Sequence, residues 1–440
     1  MNPANLSWPI REVKMAKSKQ KTWTLFGSHY HTGEGSRRRW PRVLAICLAA
    51  LIVLYCVCVF SNIPFIKKWR TIYIETAMST MTHQWLATAF LPDSVVQDVV
   101  DQMEEKRTEM IGHNSSDSWG DEQASGEDKT SSDKTGSTSV TVEDTPEQAA
   151  FYELFWEIDR ETMEDYLEKN PSVLANGWES IYINEAGLDD DGTTIQTTMG
   201  EQVLAIDAVN EILLVRVKGS GYRGVLAIAK DPERVSIEAS ANIGGAGQYA
   251  GTIAEQHNGI LGMTANGFED VDGVGNGGQI IGYSMCNGIS YGTHSYWGYK
   301  RLEIRENNLM YIVDAPTSVT EGTTDAAEFQ PALIIDGEIV VDSSAGYTAL
   351  NPRACLGQSS RYEYLFLVIE GRSLESVGTD VMECADILAR HDCMQAMNLD
   401  GGTSAILYYD GEYVTRCSNT ALPYGRLLPN AVVYQRAETD

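Results

Sequence analysis

The alternation of apolar and polar positions divides the chain into stretches of different character. Val43 to Phe60 is 18 residues without a charge, and the apolar run continues to Ile66 before Lys67 and Lys68 stop it. A helix over residues 43–66 would be about 36 Å long, enough to cross a hydrocarbon core, so this segment predicts one transmembrane helix. Residues 67–103 place apolar side chains at helical spacings broken near Pro92, which predicts a helical juxtamembrane stalk. Between 104 and 144 the text turns to Ser, Gly, Asp, Glu, Lys and Thr, too little apolar surface to offset the entropy of ordering, and it reads as a flexible linker. Thr145-Pro146-Glu147 is a helix start with a capping hydroxyl and Pro in the first turn, leading an aromatic-rich helix over 145–172 that Pro171 ends. From 173 to 440, short β-rich runs such as EILLVRVKG, GVLAIA and EYLFLVIEG are separated by Gly, Asn and Asp turns. One convincing helix, Asp380 to Asp392, interrupts them with Met382, Ala385, Leu388 and Ala389 on one face. The expectation is an α+β protein: one β-rich extracytoplasmic domain with a mixed sheet and few helices, preceded by the membrane helix, stalk and disordered linker.

Charge adds a direction to this layout. The formal net charge is −28, yet residues 1–42 hold nine Lys/Arg against two acids, and the remaining residues carry 24 bases against 59 acids. A basic tail before an apolar span keeps the N-terminus cytoplasmic and places the acidic domain outside the cell membrane on a single-pass anchor. A cleaved signal peptide is the alternative, but 42 residues make a long leader and no A-x-A site follows the span. The acidic balance excludes nucleic acid as a partner, since phosphate neutralisation needs clustered bases. Five cysteines lie beyond the span, Cys286, Cys355, Cys384, Cys393 and Cys417, with no C-x-x-C spacing, so neither a disulfide framework nor a zinc site can be read.

Several motifs suggest chemistry that their context does not support. Gly219 to Gly224 spells G-x-G-x-x-G, but GVLAIA after it is a second strand rather than a phosphate-binding helix, so it predicts a hairpin turn. Gly402-Thr403-Ser404 resembles a serine-protease region, yet a strand follows it. The acid clusters Asp189 to Gly192 and Asp270 to Gly273 lack full calcium-ligand spacing and read as solvated turns, so no metal is assigned. What turn chemistry explains poorly is the joint occurrence of three Gly/Asn clusters. These are Thr264 to Asp270 with Gly275 to Gly278, Asn351 to Ala354 with Glu370-Gly371-Arg372 downstream, and Met397-Asn-Leu-Asp-Gly-Gly-Thr-Ser404. Paired glycines beside a carboxylate let backbone N–H groups and a ligand approach closely.

At these residues the sequence resembles the phosphodiester glycosidase family, over roughly Ile206 to Val433. The Asn398-Leu-Asp-Gly-Gly402 string with Ser404 is its most specific part, joined by Asn266-Gly-Phe268, Gly275 to Gly278, Pro352-Arg353, Gly425-Arg426 and Pro429-Asn-Ala431. The sequence departs from the family at Glu370, where an Asp is usual, and at Thr403, where Gly or Ser is usual. The resemblance implies a membrane-anchored hydrolase without a cofactor that cleaves the glycosyl phosphate bond of a sugar-1-phosphodiester, in a surface glycan or wall polymer. Such cleavage builds oxocarbenium character on the sugar while a phosphomonoester leaves, so cations on the phosphate matter as much as carboxylates. Only fifteen Lys/Arg follow Ser172, and Arg353, Arg372 and Arg426 sit inside the clusters, where guanidinium groups can fork onto phosphate oxygens. Asp400, between Leu399 and two glycines at a strand end, is the first candidate for nucleophile or base, followed by Glu370 and then Glu269. Asn266 and Asn398 would bind sugar hydroxyls or orient the carboxylates, with Gly267, Gly401 and Gly402 lining the substrate. The competing class is a non-catalytic surface module that binds a glycan or wall polymer, involved in exopolysaccharide or envelope assembly. It is disfavoured because no carboxylate or arginine is missing from the clusters.

Overall fold

The structure is a computed structural model that describes residues 39–80, 83–116, 119, 144–189, 192–270, 275–294 and 298–438. The basic tail through residue 38 lies outside the described residues, as does most of the expected linker. The chain divides into two compact units, Met1–Val57 and Cys58–Asp440. Helix α1 (Arg39–Phe60) begins in the first of them and is long and apolar enough to cross a membrane.

In the second unit, α2 (Pro64–Met78), the short α3 (Trp85–Thr88) and α4 (Asp93–Glu109) form a small cluster around Ile74, Ala87, Val96 and Val99. Pro64 starts α2 and Pro92 precedes α4, where a missing N–H costs nothing. This stalk does not stand apart from the β-rich domain. The Glu75 carboxylate, fully buried, accepts the N–H groups of Gly346 at 2.6 Å and Thr348 at 2.8 Å and the Thr348 hydroxyl at 2.7 Å. Glu75→Ala would leave two amides without a partner, so denaturant unfolding should report a loss of about 1–3 kcal/mol. The linker also starts later than its composition suggests. Helix α4 continues to Glu109, and Ser115 then pairs with the edge of a strand, its N–H on the Ile312 carbonyl and its hydroxyl accepting the Ile312 N–H. The polar composition conceals this docking because its hydrogen-bond partners lie about 200 residues away. The aromatic-rich segment after Thr145 is likewise two helices, α5 (Pro146–Leu154) and α6 (Arg160–Lys169), since Asp159 accepts the Thr162 N–H and caps a second start.

The nine-stranded sheet runs β1 (Tyr182–Asn184), β2 (Gln202–Asp207), β3 (Ile212–Gly219), β4 (Tyr222–Ala229), β15 (Tyr364–Ile369), β14 (Arg353–Ser359), β16 (Cys393–Asn398), β12 (Ala332–Ile335), β13 (Glu338–Ile339). Two five-stranded sheets accompany it. One is ordered β10 (Met310–Asp314), β9 (Lys300–Arg305), β11 (Thr323–Phe329), β7 (Tyr283–Cys286), β8 (Ile289–Gly292). The other is ordered β18 (Glu412–Tyr413), β17 (Leu407–Tyr409), β6 (Gly259–Thr264), β19 (Asn430–Gln435), β5 (Val235–Ala239). Described pairs of these strands run antiparallel, and neighbours in the sheet are not always neighbours in sequence: β4 has β15 beside it, more than 130 residues downstream. The G-x-G-x-x-G string is the β3–β4 hairpin, with Gly219 opposite Tyr222 and Gly221 at φ +85°.

The near-continuous apolar text of β3, β4 and β15 follows from burial on both faces. Leu214, Val225, Phe366 and Met397 face a core shared with Ile237, Leu261, Leu302 and Val432 of the smaller sheets. Leu213, Leu226, Leu367 and Cys355 face Phe155, which caps the end of α5, Met163 of α6 and Leu388 of α8 (Val381–Arg390). The domain is thus α+β, β-rich with few helices. A further short helix, α7 (Ala250–Gln256), covers β6 and β19 and is too short to show a helical period in the sequence.

Candidate functional site

Antiparallel pairing brings the C-terminal ends of β6, β15 and β16 to the same edge as the N-terminal ends of β14 and β19. All three Gly/Asn clusters therefore meet. Beyond β16 the chain turns sharply: Leu399 N–H bonds the Ala354 carbonyl at 2.8 Å, Asp400 N–H the Ala265 carbonyl at 3.3 Å, and Gly402 N–H the Pro352 carbonyl at 3.0 Å. A Cβ on Gly401 would lie 2.8 Å from the Pro352 carbonyl oxygen, and Gly402 has φ +62° with the Arg372 guanidinium 3.3 Å from where its Cβ would be. The two glycines are needed so that the turn can close against β14 and leave room for Arg372.

Asp400 is half-buried here, and burial pushes its carboxyl up to about 6 against the opposing pull of the Ser404 hydroxyl, the Arg426 charge and the Gly401 N–H. Arg426 holds Asp270 in a two-pronged pair, Nη1 to Oδ2 at 2.9 Å and Nη2 to Oδ1 at 2.7 Å, and Nη2 also donates to the Gly275 carbonyl at 2.8 Å. The pair keeps Asp270 ionised, its carboxyl lowered first by the Arg426 hydrogen bonds, and raises Arg426 in return. The Arg426 guanidinium lies 5.1 Å from the Phe268 ring centroid, so the pair is backed by an aromatic face. Cys417 stands within the field of both Arg372 and Arg426, but burial raises its thiol, which keeps it neutral.

The arginines separate into different states. Arg353 is committed to the backbone, Nε to the Thr379 carbonyl at 3.1 Å and Nη2 to the Ala349 carbonyl at 2.6 Å. Arg372, in the left-handed region at φ +59°, is exposed and donates from Nη2 to Asn351 Oδ1 at 3.2 Å. Asn351 in turn donates to the Ser79 hydroxyl at 2.8 Å, which links this arginine to the end of α2.

Several expected roles do not fit the geometry. The Asn266 amide is fully buried and donates toward the carbonyls of Tyr283 at 3.1 Å and Glu328 at 3.2 Å, while its oxygen accepts from Asn430 at 2.9 Å. It clamps strands together and has no donor left for a sugar. Asn398 is buried and donates to the Gln330 carbonyl at 2.6 Å. Glu370 is buried against Arg223 at 3.4 Å and the Arg416 N–H at 3.1 Å, and burial raises its carboxyl. Glu370 is thus committed to Arg223 and the Arg416 N–H, although it stands at the same sheet edge as Asp400. Glu269 is exposed, whereas its neighbour Asp270 carries the arginine pair. Gly267 is packed against a protein side chain, since a Cβ there would come within 3.1 Å of the Phe329 ring. Asp270, Ser404 and Asn351 lie inside the clusters read from the sequence but were given no role there. Asp270 was legible only as a turn acid, and its partner lies 156 positions away.

Residues 258–435 match the family model for phosphodiester glycosidase, which bears out the resemblance carried by the motifs. A curated relative, the SPbeta prophage-derived uncharacterized protein YomE of Bacillus subtilis strain 168, is 23% identical over 179 residues, covering 38% of this chain and 27% of that protein. The chain thus matches about a quarter of that relative's length. Among solved structures, the catalytic domain of zebrafish N-acetylglucosamine-1-phosphodiester alpha-N-acetylglucosaminidase, auto-inhibited by its pro-peptide, superposes with a TM-score of 0.40 at 15% identity, covering 51% of this chain and 82% of that one. A putative exported protein from Burkholderia pseudomallei K96243 gives 0.36 at 13% identity, covering 49% and 74%.

Proposed function

We propose, from the match of residues 258–435 to the phosphodiester glycosidase family and from the site above, that this protein hydrolyses the bond between a sugar anomeric carbon and a phosphodiester oxygen. The observation that carries the reading is a carboxyl pushed up to about 6, set on a glycine turn beside one buttressed and one exposed arginine. Above pH 6 Asp400 is a carboxylate, held in place by Ser404 and the Gly401 N–H, and serves as the nucleophile or base toward the anomeric carbon. Arg372 meets the departing phosphate. Arg426 pulls the Asp400 carboxyl down while its partner Asp270 pushes it up, so the pair presents Asp400 with a fixed dipole and not a net charge. A phosphomonoester leaves readily once its charge is matched, so no separate strong acid is required. In this reading α1 is a single-pass anchor with the tail in the cytoplasm, and the substrate is a glycosyl phosphate of a surface glycan or wall polymer.

The test is turnover. Purified full-length protein in detergent, offered a panel of sugar-1-phosphodiesters, should release sugar and phosphomonoester from at least one, and Asp400→Asn should slow that release by about 10²-fold or more. Saturable binding across the panel with no turnover would instead identify a glycan-binding module and contradict the proposal.

A further inference from the structure

Helix α2 carries an aromatic stripe that the catalytic reading leaves unused. Phe65, Trp69 and Tyr73 recur at i, i+4 and i+8 and are 71%, 53% and 42% exposed. At about 100° per residue this stripe lies roughly half a turn from the centre of the set that α2 buries, Thr71, Ile74, Glu75 and Ala77, with Ala77 at its border. The stripe is extended by α3. The Tyr73 hydroxyl donates to the Leu86 carbonyl at 2.6 Å, which brings in Trp85 and Phe90, 55% and 57% exposed with ring centroids 6.2 Å apart. Lys67 and Lys68 are exposed on the same helix.

The position of this patch along the chain says what covers it. Only Ser61, Asn62 and Ile63 separate α1 from α2. Arg70 Nη1 donates to the carbonyls of Val59 at 2.7 Å and Ser61 at 3.1 Å, so the second turn of α2 is bonded to the last turn of the apolar helix. The first two turns of α2 therefore stay beside Val59, the end of the apolar run. Trp and Tyr concentrate where a membrane span ends because their rings are apolar with one polar tip, and lysines there face anionic headgroups.

We infer that the α2–α3 face bearing Phe65, Trp69, Tyr73, Trp85 and Phe90 lies in the phospholipid headgroup layer, making α2 an interfacial helix that holds the domain down on the bilayer. The inference rests on the reading of α1 as a membrane span. Because α2 is bonded to the 346–351 loop through Glu75, and Ser79 at its end to Asn351, a continuous run of hydrogen bonds joins the docked face to Arg372.

The experiment uses full-length protein reconstituted into phosphatidylcholine–phosphatidylglycerol vesicles whose acyl chains are brominated close to the headgroup. Tryptophan quenching is compared between wild type and the double variant Trp69→Phe, Trp85→Phe, which keeps both positions aromatic. Among the described residues the two substitutions remove two of the three tryptophans placed at interface depth, Trp40 being the third, so the quenched component from these residues should fall about threefold. Equal quenching in both proteins overturns the inference and assigns the face to a protein partner or a second copy. Alkaline carbonate extraction of the same vesicles separates the two claims: protein that resists extraction yet shows equal quenching refutes the docked face alone, whereas protein that is extracted refutes the span and the docked face with it.

Discussion

Asp400→Asn is expected to lower kcat/KM by about 10²–10⁴, the range for removing a positioned acid, base or nucleophile. The substitution keeps the shape of the side chain and removes only its charge. For wild type, kcat/KM should rise with pH through about 6 as the carboxylate forms, and this limb should vanish in the variant. Stability should move the opposite way. The folded carboxyl, up at about 6, binds its proton more tightly than the ordinary 3.8 of an unfolded chain, so its contribution is most favourable below 3.8 and is lost as pH rises through 6. At 1.36 kcal/mol per unit the ionised form costs the fold up to about 3 kcal/mol at neutral pH. Asparagine escapes that cost but accepts the Ser404 and Gly401 hydrogen bonds less well. Unfolding at pH 4 and pH 7 should therefore show a smaller pH dependence in the variant. Glu370→Gln is the matched control, since its carboxyl is also raised by burial but faces Arg223. Normal turnover by Asp400→Asn alongside loss in Glu370→Gln would reverse the assignment.

Arg372→Ala should cost roughly 10- to 150-fold in kcat/KM on a sugar phosphodiester, the equivalent of one charge-assisted hydrogen bond of about 1.5–3 kcal/mol. The loss should fall mainly on kcat, because charge on the departing phosphate grows toward the transition state. An aryl glycoside of the same sugar has no phosphate and should be slowed far less. Arg353→Ala should slow both substrates alike, since its guanidinium holds the carbonyls of Thr379 and Ala349 rather than facing open space. Arg372→Lys should rescue only in part, as a point charge cannot supply two parallel bonds. If Arg372→Ala slows both substrates equally, Arg372 is structural and the phosphate contact fails.

How much of this was legible beforehand depended on the range of the interaction. The Thr145 cap, the β3–β4 hairpin and α8 are set by neighbours within a few residues, and local spacing announced them. The Asn398–Ser404 turn was also legible, because a carboxylate followed by two glycines has a backbone requirement written into its residue types. The Asp270–Arg426 pair was not, because strand order decides which turn acid meets which arginine. Asn266 and Asn398 misled for a related reason. An asparagine in a glycine-rich cluster has the donors a sugar needs, but here those donors satisfy backbone carbonyls from other strands, an account that only the fold can close. Ser115 and Glu75 show the same limit in segments that composition marked as linker and stalk.

The central claim is that the bond broken lies on the sugar side of the phosphodiester. Hydrolysis of an active sugar-1-phosphodiester in water enriched in ¹⁸O, with mass analysis of both products, tests it directly. Attack at the anomeric carbon places the label in the sugar hydroxyl and leaves the phosphomonoester unlabelled, the outcome expected if Asp400 works on the sugar while Arg372 holds the leaving group. Label in the phosphate would mean attack at phosphorus and would contradict the account.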